Sequence, residues 1–244
     1  MSSLNFAHRG FSGQFPENTM LAFEKAVEAG ADGIELDVQL TSDGEVVIFH
    51  DDTLERLTNG KGTLTEFTLS ELQKLSVHSQ KNAEIQDQNI PTLREYLSWV
   101  SNTGIVTNIE LKTASGDPTG LEQKVLELLE QFDIKEKIII SSFYVENMIR
   151  VKQLESDVQT GLLTIDCSEK TIQKAVDIGM DYFHPVASQL NETVIEQIHQ
   201  FGLKINMWTI NEESDLEKAE AAKLYGIITD YPDRLKKIQG NLST

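Results

Sequence analysis

Gly33-Ile-Glu-Leu-Asp-Val-Gln-Leu40 is the stretch that decides the fold. Side chains along a strand alternate between faces. Ile34, Leu36, Val38 and Leu40 share a face suited to packing beneath helices, while Glu35 and Asp37 share the other. Thr107-Asn-Ile-Glu-Leu-Lys112 repeats the design, with Ile109 and Leu111 on the packing face and Asn108, Glu110 and Lys112 opposite. Strands of this kind suit a parallel barrel, whose strand ends converge on one rim.

Working outward, short β-like runs alternate with longer helical patterns, as parallel βα units require. The pattern predicts strands over Leu4–His8, Gly33–Leu40, Ile105–Leu111, Lys137–Ser141, Val158–Leu163, Tyr182–His184, Leu203–Trp208 and Gly226–Ile228. Between them run apolar stripes at helical spacing, such as Met20, Phe23, Ala26 and Val27, or Leu121, Val125, Leu128, Leu129 and Phe132. Gly30, Gly179 and Gly202 stand where three helices should stop. Eight strands with intervening helices predict an α/β fold of the (β/α)8 TIM-barrel type, with an open doubly wound sheet as the alternative.

One interval is too long for a simple βα step. Glu45–His50 reads as a strand folded back through the turn Ser42-Asp43-Gly44. Thr58-Asn-Gly-Lys-Gly62 is turn-rich, and short helical patterns lie near Leu69–Leu75 and Leu93–Val100. Residues 51–91 are therefore expected to form a small insertion after the second strand, on the catalytic face of a single domain spanning 1–244.

Lys plus Arg number 21 against 39 Asp plus Glu, so the formal charge is −18. So acidic a chain is a poor partner for nucleic acid or anionic lipid. Cys167 is the only cysteine, which excludes an internal disulfide. No apolar run reaches membrane-spanning length, and the first ten residues do not read as a signal peptide. These features predict a cytoplasmic protein acting on a small molecule, with no nucleic-acid partner and no membrane span. They leave open whether it forms a homo-oligomer.

Two carboxylates aimed into a barrel are costly unless paired with cations or metal. A structural ion pair would account for Glu35 and Asp37 taken alone, and Lys112 would neutralise Glu110. Three carboxylates converging at one rim also make the oxygen-rich site that hard divalent cations prefer. His8 ends the first strand ahead of Arg9-Gly10, and His50 ends the folded-back strand ahead of Asp51-Asp52. Two imidazoles supply a base and an acid near neutral pH. Arg9 and Lys112 suit phosphate or carboxylate oxygens.

Trp208, Phe143, Phe11 and Phe15 are candidate pocket walls, Trp208 with one N–H to offer. Asp230 reads as a helix cap ahead of Pro232. His78 and His199 read as surface residues and His184 as structural. Cys167 lacks the basic neighbours of a nucleophile. No serine-hydrolase elbow, Walker loop or dinucleotide fingerprint is present.

Nine segments, in order, resemble the motifs of the glycerophosphodiester phosphodiesterase family over nearly the whole chain. They are His8-Arg9-Gly10, Pro16-Glu-Asn-Thr19, Gly33-x-Glu35-x-Asp37-Val38, Thr41-x-Asp43-Gly44, Val47-x-x-His50-Asp51, Asn108-Ile-Glu110-Leu-Lys112, Ser141-Ser-Phe143, Trp208-Thr-x-Asn211 and Gly226-x-x-Thr229-Asp230-x-Pro232. The resemblance implies a (β/α)8 barrel with an insertion after its second strand. It implies hydrolysis of glycerophosphodiesters, such as glycerophosphocholine or glycerophosphoethanolamine, to glycerol 3-phosphate and an alcohol. It further implies one divalent cation, Mg2+ or Ca2+, on Glu35, Asp37 and Glu110, with His8 and His50 as the acid–base pair and Arg9 and Lys112 on the phosphate. Likeness to related barrel phospholipases makes His8 the base and His50 the acid. The attacking group stays open between water and the substrate's own glycerol hydroxyl.

Two other functions compete. A lipid-active enzyme calls for an apolar or basic rim near the insertion, whereas Thr58–Gln88 is polar. A barrel that only binds phosphodiesters would have no use for both histidines.

Overall fold

The computed structural model describes residues 2–79, 82, 85, 88–113, 119–189 and 191–242. Its strands are β1 (Leu4–His8), β2 (Gly33–Leu40), β3 (Val46–Ile48), β4 (Val106–Leu111), β5 (Ile138–Ser142), β6 (Gln159–Thr164), β7 (Tyr182–Pro185), β8 (Lys204–Met207) and β9 (Gly226–Thr229). All but β3 run parallel, and β1 pairs with both β2 and β9, so the sheet closes into an eight-stranded barrel. That closure excludes the open doubly wound sheet. Observed strand limits lie within two residues of the predicted ones. Closure also brings the C-terminal ends of all eight parallel strands to one rim.

Glu35, Asp37, Asn108 and Glu110 alternate with Ile34, Leu36, Val38, Ile109 and Leu111, which are buried in the main core outside the sheet. β2 and β4 pair with Glu35 opposite Asn108 and Asp37 opposite Glu110. The register thus sets two carboxylates side by side at the rim. Below them the barrel is plugged by Phe6, Ile139, Tyr182 and Ile228. Gly33 makes room for that plug, since a Cβ there would stand 2.4 Å from the Phe6 ring.

The helices obey their sequence signals. Thr19 caps α1 (Met20–Glu28) by accepting from the Ala22 N–H at 3.2 Å. Ser168 caps α6 (Glu169–Ile178), which Gly179 ends in the left-handed conformation at φ +81°. Gly202 follows α7 (Glu192–Gln200) at φ +79°.

The long interval divides in two. α3 (Leu93–Val100) starts on a capping box of Thr92 and Glu95 and buries Leu93, Tyr96, Leu97 and Val100 in the main core. It is a barrel helix, not part of the excursion. The preceding segment, with α2 (Leu69–Leu72), has a core of its own from Val47, Phe49, Leu54, Leu57, Leu64, Leu72, Val77 and Ile90. β3 hangs it on the barrel by antiparallel pairing with β2, Val38 opposite Ile48. Of the polar stretch Thr58–Gln88, residues 80, 81, 83, 84, 86 and 87 lie outside the described residues. Among the described residues no helix is long and apolar enough to cross a membrane.

Candidate active site

β1 delivers His8 to the rim, and the chain turns at once. Arg9 and Gly10 both take positive φ, +56° and +78°. Glycine is required at the second, because a Cβ would stand 2.7 Å from the Ala22 backbone. The turn sends the Arg9 N–H to Glu35 Oε2 at 3.1 Å. Left-handed arginine costs on the order of 1 kcal/mol, a cost that sites of function commonly carry.

His8 Nδ1 lies 2.7 Å from Asp230 Oδ1. Asp230 also accepts from Ser12 Oγ at 3.1 Å and from Asn211 Nδ2 at 3.0 Å. A carboxylate with these donors is an acceptor, so His8 carries its proton on Nδ1 and leaves Nε2 as the lone pair, 3.9 Å from Glu35 Oε2. Asp230 therefore has a part beyond any helix cap; it orients His8.

His50, at the end of the β3 arm, repeats the device. Its Nδ1 donates to Asp51 Oδ1 at 2.7 Å, while Lys112 Nζ donates to Nε2 at 3.2 Å. An ammonium has only donors, which fixes the same tautomer. Burial lowers the His50 pKa; Arg9 and Lys112 add to that, against the pull of Asp37. The resting ring is neutral.

Glu35, Asp37 and Glu110 are all buried, and one oxygen from each lies within 4.8 Å of the others. Asp37 Oδ2 accepts from Asn18 Nδ2 at 2.9 Å and lies 3.2 Å from Arg9 Nε. Its Oδ1 is buried with no partner. Burial would raise the Asp37 pKa, but Arg9 above all, with Lys112 and the Asn18 amide, holds it down. Burial and then Asp37 push Glu110 up to about 7, although Lys112 Nζ stands 3.0 Å away. Burial, Asp37 and Glu110 together push Glu35 well above the usual carboxylate range. Lys112 does pair with Glu110, yet three carboxylates stand against two cations, Arg9 and Lys112, so full ionisation of the cluster calls for further positive charge. Three converging carboxylates, one of which has an unpartnered buried oxygen, fit a hard divalent cation.

His8, Arg9, Glu35, His50, Glu110 and Lys112 line one cavity of about 170 Å³ with Phe143, Leu163 and Trp208, while Asp37 is fully buried and not part of its lining. A wider hollow of about 540 Å³ shares His50, Glu110, Lys112 and Phe143 with it and runs on to Asp52, Thr53 and Tyr144. Phe143 meets Trp208 edge to face at 5.4 Å. Trp208 spends its N–H on the His184 carbonyl at 2.7 Å, so it has only apolar surface to offer a ligand.

Phe11 and Phe15 are not walls. They pack on each other at 5.6 Å, Phe11 within the main core. His184 is structural as read, fully buried and pushed down to about 3 by burial. His199 is exposed, while His78 is half-buried within the insertion. Burial and Asp166 push the Cys167 thiol up to about 11, which makes it a poor nucleophile.

A second tier of charge was not read from the sequence. Glu17 accepts from Arg9 Nη1 at 2.7 Å, and Arg56 binds both Glu17 and Asp51. Asp51 had a visible signal in its place beside His50. Glu17 and Arg56 had none, because their partners come from distant turns.

The comparisons with known proteins agree with this geometry. The model of the glycerophosphoryl diester phosphodiesterase family matches residues 8–234. A glycerophosphodiester phosphodiesterase of Caldanaerobacter subterraneus is 36% identical over 235 residues, covering 96% of this chain and 97% of that protein. A lysophospholipase D of Rattus norvegicus is 29% identical over 279 residues, covering 99% of this chain and 87% of that protein. Among solved structures, an Oleispira antarctica phosphodiesterase in complex with the product sn-glycerol-3-phosphate superposes with a TM-score of 0.89 at 31% identity, over 98% of this chain and 97% of that one. With the match running from His8 past Asp230, the chain belongs to the glycerophosphoryl diester phosphodiesterase family of enzymes.

Proposed function

We propose that the enzyme hydrolyses glycerophosphodiesters to glycerol 3-phosphate and an alcohol. Glu35, Asp37 and Glu110 would hold one divalent cation, Mg2+ or Ca2+; His8 and His50 are the acid–base pair, and Arg9 and Lys112 receive the phosphate. The observation that carries this reading is the meeting of three converging buried carboxylates, two of them lining the cavity, with two carboxylate-anchored histidines at the same cavity. The named activity of the Caldanaerobacter relative and the product in the Oleispira complex support it.

A phosphodiester is an anion and resists nucleophiles. A bound cation would draw charge from its oxygens and stabilise the more anionic transition state. Arg9 and Lys112 add two positive charges aimed at the same oxygens. One histidine takes the proton of the attacking oxygen through its exposed Nε2. The other histidine enters this step protonated on Nε2 as well as Nδ1, and gives the Nε2 proton to the leaving oxygen as the P–O bond to the alcohol breaks. Asp230 and Asp51 accept from Nδ1 of each ring, which leaves Nε2 for the substrate and favours the protonated form that the acid requires. The attacking oxygen is water or the substrate's neighbouring glycerol hydroxyl; a cyclic phosphate formed by the latter reopens when water attacks with the roles reversed. Residues 1–244 act as one domain in this scheme, with the insertion at about 51–91 supplying one wall. The single half-buried thiol suits the cytoplasm.

Lysolipids are the second reading. It rests on Phe143 and Ile165, which are 42% and 69% exposed just past the ends of β5 and β6, on the catalytic rim. An acyl chain would find apolar surface there, away from the insertion. Side-by-side assays of glycerophosphocholine and lysophosphatidylcholine separate the two. The proposal expects release of glycerol 3-phosphate from the first to exceed turnover of the second at least tenfold, about 1.4 kcal/mol in transition-state binding. The reverse order would make the rim an acyl-chain shelf.

A further inference from the structure

Arg56 lies in the insertion, about a third exposed, and is not among the residues lining the 170 Å³ cavity. Yet its guanidinium forks onto two carboxylates. Nε and Nη2 donate to Asp51 Oδ2 and Oδ1 at 2.5 and 2.7 Å, and Nη1 and Nη2 donate to Glu17 Oε2 and Oε1 at 2.9 and 2.8 Å. Each carboxylate then grips one functional side chain. Asp51 Oδ1 accepts from His50 Nδ1 at 2.7 Å, and Glu17 Oε1 accepts from Arg9 Nη1 at 2.7 Å. The chain His50–Asp51–Arg56–Glu17–Arg9 is unbroken and crosses from the insertion to the β1 turn.

Resting on the function proposed above, we infer that Arg56 is a positioning residue that locks His50 and Arg9 into mutual register. Without it, Glu17 and Asp51 lose their common counter-charge and repel each other. Asp51 is then free to turn away from His50, whose proton it holds in place. Arg9 is less exposed to the loss, because Asp37 Oδ2 stays 3.2 Å from its Nε. The damage should fall mainly on turnover and less on substrate binding. A lysine cannot replace this fork, because one ammonium cannot satisfy four carboxylate oxygens in a plane.

The rival role is a mere tether that keeps the insertion folded on the barrel. The two differ in what they predict for Arg56→Met, Arg56→Lys and Arg56→Ala, assayed with metal-loaded enzyme below the melting temperature of each variant. Positioning predicts that kcat falls about 10²-fold, as expected for a misplaced catalytic group, while KM rises less than about fivefold and Arg56→Lys recovers little. It also predicts that methylguanidinium restores part of the kcat of Arg56→Ala and none in His50→Ala. Variants with kcat within twofold of the wild type, or a fully active Arg56→Lys, would overturn it. So would a loss that tracks the unfolded fraction and resists methylguanidinium.

A readout independent of activity keeps this test separate from the function itself. The Nδ1–H proton of His50, held by Asp51, should give a slowly exchanging downfield resonance in the wild type. That signal should disappear in Arg56→Met. If the wild type turns over no phosphodiester but the resonance behaves this way, the function falls and the positioning stands. If the resonance persists in folded Arg56→Met, the positioning falls whatever the activity.

Discussion

Glu110→Gln is expected to turn over glycerophosphocholine on the order of 10³-fold more slowly than the wild type, in line with losing several kcal/mol of charge stabilisation. The side chain keeps its shape, and its amide oxygen still accepts from Lys112, so the loss should reflect charge alone. Stability should move the other way. Burial and Asp37 push Glu110 up to about 7, above its usual range. In metal-free protein this carboxyl contributes stability that is fully present below about pH 4.5 and lost as pH rises through about 7. At pH 8 in chelator the wild type therefore carries an unfavourable buried charge that the variant lacks. The variant should melt no lower there than the wild type, and added Ca2+ or Mg2+ should raise the wild-type melting temperature far more than the variant's. Calorimetry in chelator and in excess cation checks both statements. A variant that is inactive because it is unfolded, or one that gains as much from the cation, would count against a metal role for Glu110.

His8→Ala and His50→Ala should each cost about 10²–10⁴-fold in kcat, the range for a removed acid or base. The two losses should differ when the leaving group changes. An alcohol needs a proton as it departs, whereas p-nitrophenolate does not. With a glycerophospho-p-nitrophenyl diester, the variant lacking the acid should regain most of its activity and the one lacking the base should not. Assigning His50 as acid predicts recovery in His50→Ala and none in His8→Ala. The opposite pattern would exchange the roles within the same pair. Recovery in neither would mean that both rings serve to position charge and move no proton.

Much of this site was legible because strand periodicity speaks directly about facing. Glu35 and Asp37 alternate with Ile34, Leu36 and Val38, so their direction followed once the strand was recognised. Glu110 and Lys112 followed by the same rule, and parallel closure brought all four to one rim. The second tier was not legible. Asp230 looked like a cap because a carboxylate before Pro232 is locally sufficient for that role. Its contact with His8 spans 222 positions and exists only because β9 closes on β1. Arg56 and Glu17 meet across 39 positions through turns that carry no periodic signal. Phe11 and Phe15 misled for the opposite reason: their position near a strand end suggested the pocket, but the turn at Arg9 and Gly10 folds them back into the core.

On this mechanism the three-carboxylate cluster holds a divalent cation that phosphodiester hydrolysis requires. This is tested most directly by stripping the protein with chelator, removing the chelator, and measuring glycerol 3-phosphate released from glycerophosphocholine before and after adding Mg2+ or Ca2+. Near-zero release is expected from the stripped enzyme, and full recovery with at least one of the two cations. Undiminished release from verifiably metal-free enzyme would contradict it.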